Sequence, residues 1–419
     1  MSALILLVFL GAATLAVPIA HALLLASMAA VATNDRIPAD LLVQQMVAQV
    51  QSFPLIAIPF FMLTGALMMG GKLGAALVGM LSALIGRFHG GPAQVGVMSS
   101  TVFGGVSGSA VADASAIGSL LIPWQKSLGY PPAFSAATLA ASATIVILIP
   151  PSIPLILYAQ TANASVAALF VAGVLPGLLL CAGFLLVCWW SGRSRNFPRD
   201  TTPINWPEFR KNLRYSTPAL MLPVLIVSLL RLGIVTPTEV SIISTLYALL
   251  ISVVFYRDLS FRRLHQAVLE SGLATGVVLL VIMASASIGW LLTFDQLPNN
   301  VSQWISQNVG EAWMVILIMN LVMVVIGMFI DLPAAVLLLT PVFLPLAQSI
   351  GMDPVQLGVM MVVNLAIGLY SPPVGTTLFI TSELARVKVG QTVRELLPFY
   401  AVGFFVLALV SYVPASILR

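Results

Sequence analysis

Long apolar stretches recur along the whole chain, and they restrict its fold more than any other feature. Of its 419 residues, 59% are hydrophobic and 8% are charged, a composition that cannot supply a soluble surface. A stretch of about 18 or more apolar residues is long enough to cross the hydrocarbon core of a bilayer. The sequence therefore predicts an all-α polytopic membrane protein.

We predict nine full crossings and two apolar segments of a different kind. The crossings cover residues 3–31, 52–70, 133–158, 165–190, 215–232, 238–256, 266–293, 355–380 and 395–417. The other two segments, about 92–123 and about 311–345, are rich in Gly, Ser, Pro and Asp. Because these residues do not suit a helix that faces lipid, each segment is predicted to be a re-entrant helical hairpin. The first stretch is too long for a secretory signal and is predicted to be a true span.

The distribution of charge predicts an orientation. The loops at 193–214 and 257–263 are rich in arginine, which the positive-inside rule places in the cytoplasm. The loops on either side of the second hairpin carry Asp295, Glu311 and Asp353 but no Lys or Arg, and we place them outside. Counting spans from these loops puts the N-terminus in the cytoplasm and the C-terminus in the periplasm, with the hairpins opening to opposite faces. The net charge of +4 is then a sign of topology rather than of an anionic partner.

The chain also contains an internal repeat. Residues 128–159 align with residues 350–381 at a constant offset of 222, which superimposes Gly129 on Gly351, Pro132 on Pro354, and Pro150–Pro151 on Pro372–Pro373. Upstream, a slip of four residues places Asp113 over Asp331 and Pro123 over Pro341. We therefore predict inverted structural repeats at 52–160 and 266–380. Residues 161–265 would supply scaffold helices and the cytoplasmic basic loop, and 395–417 the final span.

Each predicted repeat contains a span broken by a double proline, at Pro150–Pro151 and at Pro372–Pro373. An unbroken helix satisfies its own backbone groups, whereas a break frees carbonyl and N–H groups where protein or water surrounds it. The N-termini of half-helices can then bind an anion, and freed carbonyls can bind a sodium ion. This arrangement is typical of a secondary transporter that binds its cargo near the membrane midplane.

The first hairpin places hydroxyl groups and glycines at its tip, at Ser107, Gly108 and Ser109. Hydroxyl oxygens beside glycines suit a hard cation, because glycine lets a backbone carbonyl approach closely. An alternative reading is that Gly104 and Gly108, spaced as GxxxG, serve helix packing.

Several polar side chains at membrane depth are further candidates. Asp113 and Asp331 are predicted to hold sodium or to titrate, and the alternative for each is to cap a half-helix N-terminus. Asn364, Thr376 and Thr377 lie near the second break and are predicted either to serve as ligands or to bond back to helix carbonyls.

Other classes of protein fit less well. The sequence contains no phosphate-binding loop, so an ion gradient is the expected drive, with sodium favoured and a proton through Asp113 or Asp331 as the alternative. A channel would need a carbonyl filter, and an intramembrane enzyme a nucleophile, base or metal cluster. Cys181 and Cys188 are interpreted as small apolar fillers of one helix face.

Five segments together resemble one known family. The segments "SFPLIAIPFFMLTGALM", "GGVSGSAVADASAIGSLLIP", "IPPSIPLILYA", "GMFIDLPAAVLLLTPVFLPL" and "SPPVGTTLFI" are similar to the large membrane subunit of tripartite ATP-independent periplasmic (TRAP) transporters of the dicarboxylate and sialic acid type. The resemblance runs from about residue 4 to 417. It implies sodium-driven import of organic acids, mainly carboxylates, and an elevator-type fold in which hairpins and broken helices move against a scaffold. It also implies a bacterial inner membrane location.

The resemblance further implies partners and ion ligands. The expected partners are a periplasmic substrate-binding protein and a separate small subunit of four membrane helices, since this chain begins where the large subunit does. The first sodium site would comprise Ser107, Gly108, Ser109, Pro150 and Ser152, and the second Gly327, Asp331, Pro372, Gly375, Thr376 and Thr377. For the substrate we predict Ser109, Asp113, Asn364 and Thr376. The alternative function is a proton-coupled organic anion transporter that works without a binding protein.

Overall fold

The computed structural model describes residues 1–15, 17–34, 37–69, 73–199, 205–298, 300–301, 303 and 311–413. Across these residues the regular structure is helical, with no strand, as predicted. The α-helices are α1 (Ser2–Thr14), α2 (Ile19–Ala32), α3 (Ala39–Val50), α4 (Ala57–Met69), α5 (Leu73–Ile85), α6 (Gly91–Ser107), α7 (Ala110–Ser127), α8 (Pro132–Ser142), α9 (Ile153–Ala162), α10 (Val166–Ser194), α11 (Trp206–Arg231), α12 (Pro237–Leu250), α13 (Phe261–Phe294), α14 (Ala312–Gly327), α15 (Leu332–Ser349), α16 (Pro354–Leu369), α17 (Thr376–Ala385) and α18 (Val389–Tyr412). Short 3₁₀ turns occupy Phe53–Ile56 and Ile145–Ile147, and a π-helical turn at Ile251–Tyr256 ends α12.

Six helices within the described residues are long and apolar enough to cross a membrane, namely α10, α11, α12 with its π-helical turn, α13, α15 and α18. A seventh crossing is available if α3 and the helix from Phe53 to Met68, bent by 59° at the break between them, count as one span. The chain is therefore polytopic, as predicted. Several of the nine predicted crossings instead consist of shorter helices, and the last residues of the predicted span 395–417 lie outside the described residues.

The predicted single crossing at 3–31 is wrong. This stretch forms two short helices, α1 and α2, which fold back and pack against each other. The turn ends at Pro18, which takes an extended backbone (ψ 138°) as the N-cap of α2. A proline has no backbone N–H to donate, so a helix that begins just after it loses nothing.

The N-terminus lies beside the end of α13. The backbone N–H and the hydroxyl of Ser2 donate to the Asp295 carboxylate at 2.7 and 2.5 Å, and the terminal ammonium is 3.5 Å from the same oxygen. The prediction that the N-terminus and Asp295 lie on opposite membrane faces is therefore wrong. The paired helices α1 and α2 remove one crossing from the count, which explains the error.

Each predicted hairpin consists of two packed helices, and each double proline lies in a break between two helices, as predicted. In the first hairpin α6 and α7 meet at Gly108–Ser109 (the first tip), and in the second α14 and α15 are joined by residues 328–331 (the second tip). Residues 143–152 separate α8 from α9 (the first break), and residues 370–375 separate α16 from α17 (the second break). Both Pro–Pro peptide bonds are cis.

Helix boundaries favour one alignment of the two halves without a slip. Helix α15 begins and ends 222 residues after α7, and α16 begins 222 residues after α8. The same offset relates the two Pro–Pro bonds. Under it the N-cap residue Ser109 corresponds to the N-cap residue Asp331, whereas the predicted slip would pair Asp331 with Asp113 in the first turn of α7.

The broken helices lie inside the protein. Every residue from Val355 to Leu369 in α16 is buried, and α8 is buried from Phe134 to Ser142. Helix α16 packs against α10, α14, α15 and α18, while α13 packs against α2, α3 and α4 on one side and α15 on another. The long helix α13 therefore lies between the N-terminal helices and the second hairpin.

Candidate functional site

The first tip lies directly against the first break. The chain turns at Gly108, whose φ of +62° is left-handed, and a Cβ atom there would stand 2.5 Å from the carbonyl oxygen of Pro151. Only glycine combines this backbone angle with so close an approach. The first tip and the first break carry the predicted first sodium site, and the structure brings these two segments together.

Serine hydroxyls surround this contact. Ser109 and Ser152 are the N-caps of α7 and α9, and each accepts a hydrogen bond of 3.4 Å from an N–H in the first turn of its helix. The Ser152 hydroxyl also donates to the carbonyl of Ile147. The Ser107 hydroxyl accepts from the Ser109 N–H at 3.5 Å. Since hydrogen bonds this long are weak, the oxygens of Ser107 and Ser109 retain lone pairs for another ligand.

Backbone carbonyls at the first break are also free to bind a cation. Within the described part of the chain, no hydrogen-bond donor contacts the carbonyl of Pro150 or Pro151. Pro154, four residues after Pro150, has no N–H. The N–H of Leu155, four residues after Pro151, donates to the Ser152 hydroxyl instead. The first tip and first break thus supply hydroxyl and carbonyl oxygens, the ligand types that hard cations prefer.

The second tip meets the second break in a corresponding way. The Val374 N–H donates to the carbonyl of Met328 at 3.2 Å, which links the two segments directly. Below this contact, a Cβ atom on Gly368 would stand 2.2 Å from the carbonyl oxygen of Gly327, so α14 and α16 touch backbone to backbone. The structure therefore brings the second tip into contact with the second break, the two segments that carry the predicted second site.

The two threonines at the start of α17 have different roles in the fold. The Thr377 hydroxyl is within hydrogen-bonding distance of the carbonyls of Leu369 (2.9 Å) and Ala140 (3.1 Å), so it ties α17 to α16 and α8. The Thr376 hydroxyl is buried and has no partner among the described residues. Gly375 closes the turn by donating from its N–H to the Ser371 carbonyl at 2.9 Å. An unpaired buried hydroxyl is costly unless a ligand satisfies it, which makes Thr376 the stronger ligand candidate.

The two breaks differ in exposure. Pro150 and Pro151 are buried, whereas Pro372 and Pro373 are exposed and Val374 is 49% exposed. The first break is therefore covered by protein in this structure, whereas the second break is exposed.

Both tips line one cavity of about 350 Å³. Gly108 and Ser109 contribute from the first tip and Asp331 from the second, while Ala274 and Val278 of α13 form the opposite wall. The cavity is bordered by the N-termini of α7, α9 and α15, whose first residues line it. Helix N-termini favour anions. Among the described lining residues, Asp331 is the one ionisable side chain.

A second cavity, of about 400 Å³, adjoins the first and shares Ser109 and Ile153 with it. It contains Glu270 of α13, a residue that the sequence analysis missed. The Glu270 carboxylate accepts a hydrogen bond of 2.8 Å from the Gln266 amide. The sequence could have indicated Glu270, because it is an acidic residue near the start of a long apolar span.

Three of the four predicted substrate ligands, Asp113, Asn364 and Thr376, are not among the described residues that line these cavities. The Asn364 side chain is fully buried, and its amide donates to the backbone and side-chain oxygens of Asn320 at 3.0 and 2.8 Å. Asp113 is also fully buried, and neither carboxylate oxygen has a hydrogen-bond partner in the described structure.

Comparison with known proteins places the chain in a family. The profile of "Tripartite ATP-independent periplasmic transporter, DctM component" matches residues 5–416. Protein y4mL of Sinorhizobium fredii is 50% identical over 99% of both chains. The 2,3-diketo-L-gulonate TRAP transporter large permease YiaN of Escherichia coli is 35% identical over 98% of this chain and 96% of its own. The sialic acid TRAP transporter large permease SiaM of Vibrio cholerae is 33% identical over 97% and 95%.

The fold also matches a solved transporter structure. The YdaH transporter of Alcanivorax borkumensis superimposes with a TM-score of 0.61 over 90% of this chain and 89% of its own, at 16% identity. This agreement supports the transporter fold expected from the hairpins and broken helices. The named relatives are permeases rather than enzymes. With a family profile spanning nearly its whole length, the chain belongs to the DctM family, the large membrane component of TRAP transporters.

Proposed function

We propose that this chain is the large permease subunit of a sodium-coupled importer of organic acids. The observation that carries the proposal is the convergence of both tips on one cavity, each tip in contact with its own broken helix. Sodium would bind at the two oxygen-rich contacts as co-transported cargo. The proposed ligands are the predicted sets, Ser107–Ser109 with Pro150 and Ser152, and Gly327 and Asp331 with Pro372 and Gly375–Thr377.

The substrate would occupy the cavity between the two ion sites. Three helix N-termini border it, and no lysine or arginine lines it within the described structure. A carboxylate would therefore be held by N–H dipoles and hydroxyl groups, with bound sodium offsetting the charge of Asp331. Ser109, which lines the cavity, is the proposed direct contact. Asp113, Asn364 and Thr376 do not line it, so direct contact with the substrate has less support for them.

We propose an elevator motion of the hairpins and broken helices against the scaffold. In this mechanism α13 would belong to the scaffold and the tips to the moving body, so the observation that both line one cavity supports a site at a sliding interface. The difference in exposure between the two breaks is what one end of such a motion would produce.

The partners would be a small membrane subunit and a periplasmic substrate-binding protein, as the tripartite family description indicates. Acids carried by named relatives, diketogulonate and sialic acid, support a carboxylate substrate. We place the complex in the bacterial inner membrane. Because the N-terminus contacts Asp295, which the charge pattern puts outside, we propose that both termini are periplasmic.

The test is uptake into proteoliposomes that contain the chain with its small subunit. A thermal-shift screen of the binding protein against organic acids would identify the substrate. We expect accumulation to require an inward sodium gradient and the loaded binding protein. Accumulation without either of them would contradict the proposal.

A specific observation favours a second candidate, a proton-coupled transporter that works without a binding protein. Asp113 is a buried carboxyl group without a hydrogen-bond partner among the described residues, which is a feature of proton carriers. The two candidates differ in Asp113→Asn: a proton carrier would lose gradient-driven uptake but keep substrate exchange. The sodium mechanism predicts that a proton gradient alone drives no uptake in the unmodified chain.

A further inference from the structure

A basic cavity lies far along the chain from the transport site. It has a volume of about 580 Å³ and is formed by the first half of α11 and the π-helical end of α12. Four cationic side chains line it, those of Arg210, Lys211, Arg214 and Arg257.

These cations have no anionic partner in the described structure. All four residues are exposed, and the one side-chain hydrogen bond among them runs from Arg257 Nε to the carbonyl of Val254 at 3.4 Å. The nearby Asp258 is engaged elsewhere, because its carboxylate pairs with Arg263 at 2.5 Å. Four like charges around one hollow repel one another, so an anion in the cavity would relieve that repulsion.

The walls of the cavity are held in place by an aromatic contact. The Tyr256 hydroxyl donates to the carbonyl of Tyr215 at 2.9 Å, and the two rings are 4.5 Å apart. Arg257 follows in a left-handed conformation (φ 51°) that ends the π-helical turn. The cavity is therefore a built feature of the α11–α12 contact rather than a chance grouping of surface arginines.

One side of the cavity is apolar. Val254 and Phe255 line it and are 59% and 37% exposed. Exposed apolar residues continue along α12 at Leu250 and Leu246, on a helix long enough to span the membrane. A small hydrophilic anion would gain nothing from this surface, whereas acyl chains below a charged headgroup would cover it.

We propose that this cavity binds the headgroup of an anionic phospholipid. The phosphodiester would lie among the four cations, and the acyl chains would run along the exposed face of α12. Basic pockets between membrane helices at the cytoplasmic surface are suited to such headgroups. The site is independent of the transport cavity and of the proposed transport function.

Native mass spectrometry of the full chain in detergent tests the proposal. We expect phosphatidylglycerol and cardiolipin to bind, and phosphatidylcholine to bind at least about tenfold more weakly. Each basic residue near an anionic headgroup contributes about 1 kcal/mol, so Arg210→Gln with Arg214→Gln should weaken phosphatidylglycerol binding about 30-fold. The matched control, Arg386→Gln with Arg394→Gln, removes the same charge from another exposed segment and should change binding less than about twofold.

Two further arms separate a lipid from other anions. Inorganic phosphate at millimolar concentration should not displace the lipid, and equal binding of phosphate and phosphatidylglycerol would overturn the proposal. A photoreactive p-benzoylphenylalanine in place of Phe255 should form a lipid adduct in cells. A protein adduct there would mean that an acidic partner segment occupies the cavity. Equal losses in the paired variants would also contradict the proposal.

Discussion

The α-carbon of Gly108 lies against the carbonyl oxygen of Pro151, which joins the first tip to the first break. Gly108→Ala would add a Cβ atom 2.5 Å from that oxygen, at a backbone φ of +62°. The backbone angle alone costs about 1–2 kcal/mol, and the overlap adds to it. We expect a lower melting temperature and loss of sodium-dependent uptake, measured by thermal unfolding and by transport in proteoliposomes.

Two other glycines separate the causes of this effect. Gly351 has a φ of +73° but no atom within 4 Å of its Cβ position, and Gly390 has neither constraint. Gly351→Ala should therefore lower stability only through its unfavourable backbone angle, and transport should be retained. Gly390→Ala should leave both stability and transport close to unchanged. Equal effects at Gly108 and Gly351 would show that the contact with Pro151 is unimportant.

Thr376 is expected to bind sodium, because its buried hydroxyl has no partner in the described structure. Thr376→Val keeps the shape of the side chain and breaks no described hydrogen bond. We predict that half-maximal transport will require about tenfold more sodium, because tenfold corresponds to about the free energy of one hydrogen bond. The melting temperature should change little. Sodium titration of transport measures the first, and thermal unfolding the second.

Thr377→Val is the matched control. Its hydroxyl is within hydrogen-bonding distance of the carbonyls of Leu369 and Ala140, so this change should lower stability by about 1 kcal/mol or more. If Thr376→Val lowered stability equally and left sodium activation unchanged, the hydroxyl of Thr376 would have a structural role instead.

Glu270 adds a negative charge to the cavity beside Ser107 and Ser109. A carboxylate at the entrance raises the local concentration of cations, an effect that salt screens. Glu270→Gln should raise the sodium concentration for half-maximal transport about threefold at low ionic strength, and less at high ionic strength. Glu383→Gln, which removes an exposed carboxylate elsewhere, should have no such effect. A salt-independent change at Glu270 would point to direct coordination.

The contact between Ser2 and Asp295 predicts the position of the N-terminus. We expect a reporter fused to the N-terminus to show the same side of the membrane as a cysteine label at Gln296.

The hydroxyl and N–H of Ser2 lower the pKa of the Asp295 carboxyl below its ordinary value of 3.8. A carboxyl group whose pKa is lowered by folding stabilises the folded state at pH values above its ordinary pKa. That stabilisation is lost as the pH falls through the pKa of the folded state. The contact should therefore persist at neutral pH and weaken only below about pH 4.

The sequence predicted the hairpins and broken helices because Gly, Ser and Pro leave a strong local signal. It did not predict the turn between α1 and α2. Pro18 lies in the turn as the N-cap of α2, yet Pro176 lies inside α10 without breaking it. Whether a proline breaks a membrane helix depends on whether neighbouring groups satisfy the freed carbonyl, and packing decides that.

Other errors also have physical reasons. Helices α3 and α5 were missed because 12 and 13 residues are too few for a crossing. The slip of four residues was chosen because it superimposes identical residues, such as Asp113 on Asp331. The helix bounds instead superimpose the N-caps Ser109 and Asp331, because serine and aspartate are both favoured at that position. Asn364 was predicted as a ligand from its place near the second break, and nothing in the sequence indicated that its amide donates to Asn320 of another helix.

Sodium titration of the melting temperature of the purified chain, at constant ionic strength maintained with choline chloride, tests the two oxygen-rich contacts most directly. A ligand that binds the folded state alone raises stability in proportion to the logarithm of its concentration above its dissociation constant. We predict that the melting temperature rises with sodium and does not rise with potassium. In Thr376→Val the same rise should require a higher sodium concentration. Equal melting curves in sodium, potassium and choline would contradict it.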